Sequence, residues 1–418
     1  MEKKVKNRMV KKIAAAFAAV CMTLSMGPSA VSADTAAIGS DGKAAAGTSV
    51  SFQKVLRITN PEDGVKINVP AAEFKYETSL VGRVEIPEGG SSETGTVIGT
   101  AQEPAGNYIA STAVNPTAVT VSFPGSVSQV AISGKKAEVS ENAEIDFSVI
   151  EWKAPGVYRF RVKEERTNKS VAYNAAYTDL TDEESKRYID VYVNAVSTSD
   201  GSIEYQIAGY VFLKAEKGSG GTVTYKKTTG YTDDGGNGGS DSGTSVTIYE
   251  TYNLTVKKVI KGTMAKASDV FNFTVSADGT QEIPADMMTT TGGITAASPS
   301  FNGSTQVYTT GLKGGDSLAI KGIAKYANVT VKESDQDAKN YKTEITSTGS
   351  LDSKDETART AGLHMDTDRD VTYTNTSSTE NVTPTGIVRM VAPYLMIVVM
   401  ALLLAAVFFR SKKTETID

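Results

Sequence analysis

The chain has 418 residues, a formal net charge of −5 and one cysteine. Its two ends are far more basic than the middle, so trimming both would leave about −12 on the remainder, a surface that excludes nucleic acid as a partner. With Cys21 inside an apolar leader, the rest of the chain has no disulfide to staple it, although an exported protein of this kind would ordinarily use one.

Residues 1–33 read as a secretory signal. Lys3, Lys4, Lys6, Arg8, Lys11 and Lys12 form its basic region, Ile13 to Met26 its apolar region, and Val31-Ser32-Ala33 a small-residue cleavage site. The mature chain is expected to begin near Asp34, and its length suffices for two or three domains. Short alternating runs rich in Val, Ile, Thr, Tyr and Phe recur between clusters of Gly, Asn, Asp and Ser, with no sustained helical period outside the two apolar ends. The pattern predicts an all-β protein of tandem sandwiches. The clearest break in composition is the Gly-rich segment 218–245, which places one domain over 34–249 and a second over 250–381.

The two halves align as a divergent repeat. Val50-Ser51-Phe52-Gln53-Lys54, Phe74-Lys75-Tyr76 and Tyr158 to Glu164 in the first match Leu254-Thr255-Val256-Lys257-Lys258, Phe271-Asn272-Phe273 and Val329-Thr330-Val331-Lys332-Glu333 in the second. Residues two apart in a strand share a face. Alternation therefore puts Lys258 with Leu254 and Val256, Glu333 with Val329 and Val331, and Asn375 with Val371 and Tyr373. Three polar residues breaking pattern inward point to one site. Burial lowers a lysine pKa and raises a glutamate pKa, so both can be neutral: a nucleophilic amine beside an acid able to donate to a carboxamide oxygen. The product would be a Lys–Asn amide with loss of ammonia.

At the C-terminal end, Val382-Thr383-Pro384-Thr385-Gly386 precedes a charge-free run, 391–409, and a basic tail from Arg410. As a helix that run would cross most of a hydrocarbon core, with the tail left in the cytoplasm and all before Thr383 outside. A Pro-Thr-Gly ahead of such a helix resembles the cell-wall sorting signal of Gram-positive surface proteins, in which a sortase cuts between Thr and Gly; here that bond is Thr385–Gly386. Val382 and Thr383 depart from the common Leu-Pro-x-Thr-Gly.

The inward Lys, Glu and Asn together resemble the isopeptide-linkage domain of streptococcal-type major pilins, whose folds are immunoglobulin-like (Cna-B-like) sandwiches. The resemblance implies that Lys258 joins Asn375 with Glu333 as promoter. In the first domain it carries over Lys54 and Glu164, but Glu250 stands at the position expected for the Asn, which leaves open whether Lys54 is bonded covalently or paired with Glu250 or Glu164. The same resemblance implies that Lys226 or Lys227 receives the Thr of the next subunit. It further implies a non-enzymatic, wall-anchored subunit of an extracellular pilus, made as a membrane-anchored precursor, needing no cofactor. Its partners would be a sortase, peptidoglycan, other copies of itself and minor pilins. A wall-anchored adhesin or accessory pilin, binding a host or surface ligand, is the alternative.

No other constellation carries chemistry. His364 has no second His or Cys for a metal site, and Asp366, Asp368 and Asp370 lack the Gly and distal Glu of a calcium loop. Trp152 reads as packing.

Overall fold

A computed structural model describes residues 35–125, 129–171, 173–217, 222–232, 246–292, 299–334, 341–377 and 394–406. The leader and the Val382–Gly386 motif lie outside these residues. So does most of the Gly-rich segment 218–245, of which 222–232 is described.

The first domain is built on β1 (Ser49–Thr59), β2 (Ala72–Glu85), β3 (Lys136–Asp146), β4 (Gly156–Arg166), β5 (Lys186–Ser197), β6 (Ile203–Lys217), β7 (Val223–Lys227) and the two-residue β8 (Gly230–Tyr231). One sheet centres on β1, which pairs antiparallel with β3 along its whole length. Its other edge is covered in succession by three parallel pieces: Thr35–Ala37, β8, and the start of β9 (Thr247–Lys261). The facing sheet runs β7-β6-β5-β4-β2, antiparallel throughout. Between them Phe52 of β1 stacks on Phe212 of β6 with ring centres 4.7 Å apart and meets Tyr76 of β2 edge-on at 5.1 Å. Gly230 is required where β8 meets β1, since a Cβ there would lie 2.4 Å from the Gln53 carbonyl oxygen.

The second domain comprises β10 (Phe271–Asp278), β11 (Thr305–Leu312), β12 (Ser317–Ala324), β13 (Asn328–Glu333), β14 (Tyr341–Ser347), β15 (Thr360–His364) and β16 (Arg369–Ser377), together with the rest of β9. Here β9 lies between β12, antiparallel, and β16, parallel, and β16 pairs with β14. The facing sheet is β11-β10-β13-β15. Phe273 of β10 meets Tyr373 of β16 across this core, 5.1 Å between ring centres.

A single strand thus serves both domains: β9 pairs with β1 through residues 247–250 and with β12 from Thr251 onward. Around that changeover Asn60 donates to Asn253 (3.0 Å) and Thr251 (3.1 Å), Lys66 pairs with Asp286 (2.6 Å), and the Tyr249 hydroxyl bonds Gln281. One buried apolar cluster runs through both sandwiches. Trp152 is buried in it, stacked on Tyr158 at 4.9 Å. His364 is half exposed beside Asp352.

Toward the C-terminus a helix covers 394–406, with its large apolar side chains exposed. It is the described part of the run expected to form a membrane helix, and no helix among the described residues is long and apolar enough to cross a membrane.

Candidate functional site

Alternation puts the three polar residues of the second domain where the sequence pattern predicts. Lys258 is buried with Leu254 and Val256 on β9, Glu333 with Val329 and Val331 on β13, and Asn375 with Val371 and Tyr373 on β16. Lys257 and Lys332, one residue away, face outward. Because β9 and β16 are parallel neighbours, Lys258 and Asn375 project from adjacent strands of one sheet, and Glu333 reaches them from the sheet opposite.

The geometry is close. The Lys258 Nζ donates to Glu333 Oε1 at 2.5 Å, and the Asn375 Nδ2 donates to the same oxygen at 3.0 Å. Thr343 of β14 donates to Asn375 Oδ1 at 2.9 Å and accepts from Arg359 Nε at 3.1 Å. The Lys258 amine sits 4.2 Å from the centre of the Phe271 ring. Burial draws the Lys258 pKa down from 10.5 to about 8, although the Glu333 carboxylate opposes the shift.

One detail corrects the expectation of a glutamic acid donating to the carboxamide oxygen. The carboxamide turns its nitrogen to Glu333 and its oxygen to Thr343. Glu333 Oε1 accepts N–H donors from both sides, and the carbonyl is left to the hydroxyl. Thr343 is a site residue that the sequence pattern did not single out. The alternation of Tyr341-Lys342-Thr343-Glu344-Ile345 does place it inward with Ile345, and that is the available signal.

In the first domain Lys54 is fully buried and donates to Glu164 Oε1 at 2.5 Å; the Tyr76 hydroxyl donates to Glu164 Oε2 at 2.7 Å. Burial lowers the Lys54 pKa, with Glu164 opposing. The expected third member is elsewhere. Glu250 bonds Lys325 in the second domain and accepts from Thr178, so it is no partner of Lys54. What Lys54 meets instead is the Thr247 hydroxyl, 2.9 Å away. The boundary expected between 249 and 250 falls inside β9, one residue before its pairing passes from β1 to β12.

The two lysines expected as acceptors lie on β7, an edge strand of the first domain. Lys226 is more exposed and pairs with Glu216 at 2.7 Å; Lys227 is partly buried, 3.5 Å from Glu93. No cluster of His, Cys, Asp and Glu that could hold a metal occurs among the described residues.

The chain is an all-β protein of two sandwiches sharing a strand, with a buried hydrogen-bonded Lys–Glu–Asn set between the first and last strands of the second. A family model described as a domain of unknown function (DUF7601) matches residues 252–380. A curated protein named Pilin, from Streptococcus pyogenes serotype M1, is 25% identical over 288 residues, 67% of this chain and 74% of that one. The major pilin crystal structure from Streptococcus pyogenes aligns with 78% of this chain and 98% of its own at 18% identity and a TM-score of 0.43. A second major pilin from that species, T3.2, aligns with 81% and 100% at 16% identity and 0.43. The chain is similar to Gram-positive pilins, as its motifs implied.

Proposed function

We propose that this protein is a structural subunit of a covalently polymerised, wall-anchored Gram-positive pilus, and that its second domain is closed by an amide between Lys258 and Asn375. The observation that carries the reading is the single buried Glu333 oxygen shared by the lysine amine and the asparagine carboxamide nitrogen.

That oxygen lies where a proton must travel. Glu333 takes a proton from the Lys258 ammonium, and the freed amine attacks Cγ of Asn375. The oxyanion that develops on Oδ1 is held by the Thr343 hydroxyl, itself backed by Arg359. Glu333 then passes the proton to Nδ2, the Cγ–Nδ2 bond breaks, ammonia leaves, and Glu333 takes up the second proton from Nζ as the amide forms. The new Cγ–Nζ bond replaces the one lost, so atoms and charge balance without a cofactor. Phe271 and Phe273 keep water away from the amine. The reaction occurs once per chain, on the chain's own side chains, so there is no turnover.

Export by the leader, cleavage at Thr385–Gly386 and transfer of the Thr carbonyl to Lys226 or Lys227 of another copy complete the reading. Immunoblots of wall extracts test it. A shaft subunit gives a high-mass ladder that survives boiling in detergent; a single wall-linked species would contradict polymerisation and favour the adhesin.

A further inference from the structure

The first domain repeats the second-domain site position by position. In the second domain Lys258 pairs in register with Tyr373 of the parallel neighbour, and Asn375 lies two residues further on, opposite Ile260. In the first domain the residue two beyond Lys54 is Leu56, and its partner on the parallel neighbour is Thr247. The promoters correspond as well: Glu333 is in register with Phe273, and Glu164 with Tyr76. The aromatic residue two before each of these lies the same distance beneath its lysine, 4.2 Å from Nζ to Phe271 and 4.2 Å from Nζ to Phe74. The acceptor differs in kind, and Tyr76, whose hydroxyl donates to Glu164, stands where the second domain has Phe273.

We infer that the first domain holds the lysine and the promoter of an amide-forming site, Lys54 and Glu164 with the Tyr76 hydroxyl on the carboxylate, in which Thr247 occupies the acceptor position and leaves Lys54 as a free amine. This rests on the proposed second-domain reaction. A threonine hydroxyl offers no carbonyl carbon and no nitrogen leaving group, so the Lys54 amine has nothing to attack. Thr247 accepts a hydrogen bond from it instead. Beside Glu164 and Thr247 a polar cleft of about 430 Å³ opens toward Arg166 and Ser185. The clamp between first and last strands is thereby made of hydrogen bonds in one domain and of a covalent bond in the other.

Thr247→Asn supplies the missing group. The Lys54 amine then attacks the introduced carboxamide carbon, a C–N bond forms as the C–NH2 bond breaks, and ammonia leaves with the proton relayed by Glu164. The mature chain carrying Thr247→Asn is expected to weigh less than its sequence by two ammonias, where the unmutated chain is short by one. Its digest should contain a branched peptide joining residues 54 and 247. Adding Glu164→Ala should return the deficit to one. Thr247→Asp gives an independent route, the acid condensing with Lys54 at the cost of one water. An amine-reactive label on the denatured unmutated chain should modify Lys54 fully. A deficit of one ammonia in Thr247→Asn with no loss of water in Thr247→Asp would overturn the inference, as would a Lys54 already blocked in the unmutated chain. No deficit at all in the unmutated chain would refute the second-domain reaction, a separate failure.

Discussion

Asn375→Ala separates the proposed bond from the buried ion pair, because Lys258 and Glu333 keep each other at 2.5 Å while the acceptor disappears. The amide would close a loop running from residue 258 to residue 375. In the chain-entropy treatment of a cross-link, a loop of roughly 120 residues restricts the unfolded state by about 5 kcal/mol. A domain's whole stability is ~5–15 kcal/mol, so the loss is large. At about 3–5 °C per kcal/mol for a domain of this size, the second-domain transition should fall by roughly 15–25 °C. The two lost hydrogen bonds of Asn375, one of them to a carboxylate, add a few kcal/mol of their own, so the intact mass of each chain is what separates the two contributions. The assay is calorimetry of the mature chain beside the unmutated protein, each with its intact mass. A variant melting within a few degrees of the unmutated chain, when that chain shows the full sequence mass, would refute the reasoning.

Thr343→Val removes the donor to the Asn375 oxygen without changing side-chain shape much, and should slow the appearance of the ammonia deficit by ten- to a hundredfold or more when followed by mass after refolding. An unchanged rate would remove Thr343 from the mechanism. In Asn375→Ala the free Lys258, with its pKa drawn down to about 8, binds fewer protons folded than unfolded between about 8 and 10.5. Stability should therefore rise with pH across that window, measurable by denaturant titration; a flat or falling profile would count against the buried amine. Thr385→Ala should leave the protein in the membrane fraction, and its normal release by wall hydrolases would contradict the sorting signal. Changing Lys226 and Lys227 together to Arg should abolish the high-mass ladder, since a guanidinium with a pKa above ~12 is no nucleophile. A persistent ladder places the acceptor elsewhere.

Much of the second-domain site is legible in the sequence because strand alternation has a period of two and each polar residue ends a run whose apolar members fix the inward face. Leu254 and Val256 orient Lys258; Val329 and Val331 orient Glu333. The first domain is only half legible for a reason equally physical. Lys54 and Glu164 end similar apolar runs, but β9 belongs to two sheets at once, and nothing in its alternation marks where one core gives way to the next. Glu250 stands out by its distance from the aromatic residues around it, whereas the inward position opposite Leu56 belongs to Thr247. Thr343 and Arg359 are hidden differently: a threonine on a strand is ordinary, and Arg359 takes a positive φ of 51° in the turn just before β15, outside any periodic run. The pairing of Asn60 with Thr251 and Asn253 joins residues nearly 200 apart and has no local signature.

The covalent state of Lys258 and Asn375 decides between a chemically closed domain and an ordinary sandwich. Its most direct measurement is a proteolytic digest of the unmutated, secreted chain analysed by tandem mass spectrometry. The proposed reaction requires a branched peptide joining the strand around Lys258 to that around Asn375, lighter by one ammonia than its two parts, and absent from Glu333→Ala. Two separate linear peptides, each at full mass with Lys258 open to amine labelling after denaturation, would contradict it and leave Lys258, Glu333 and Asn375 as a buried hydrogen-bonded set.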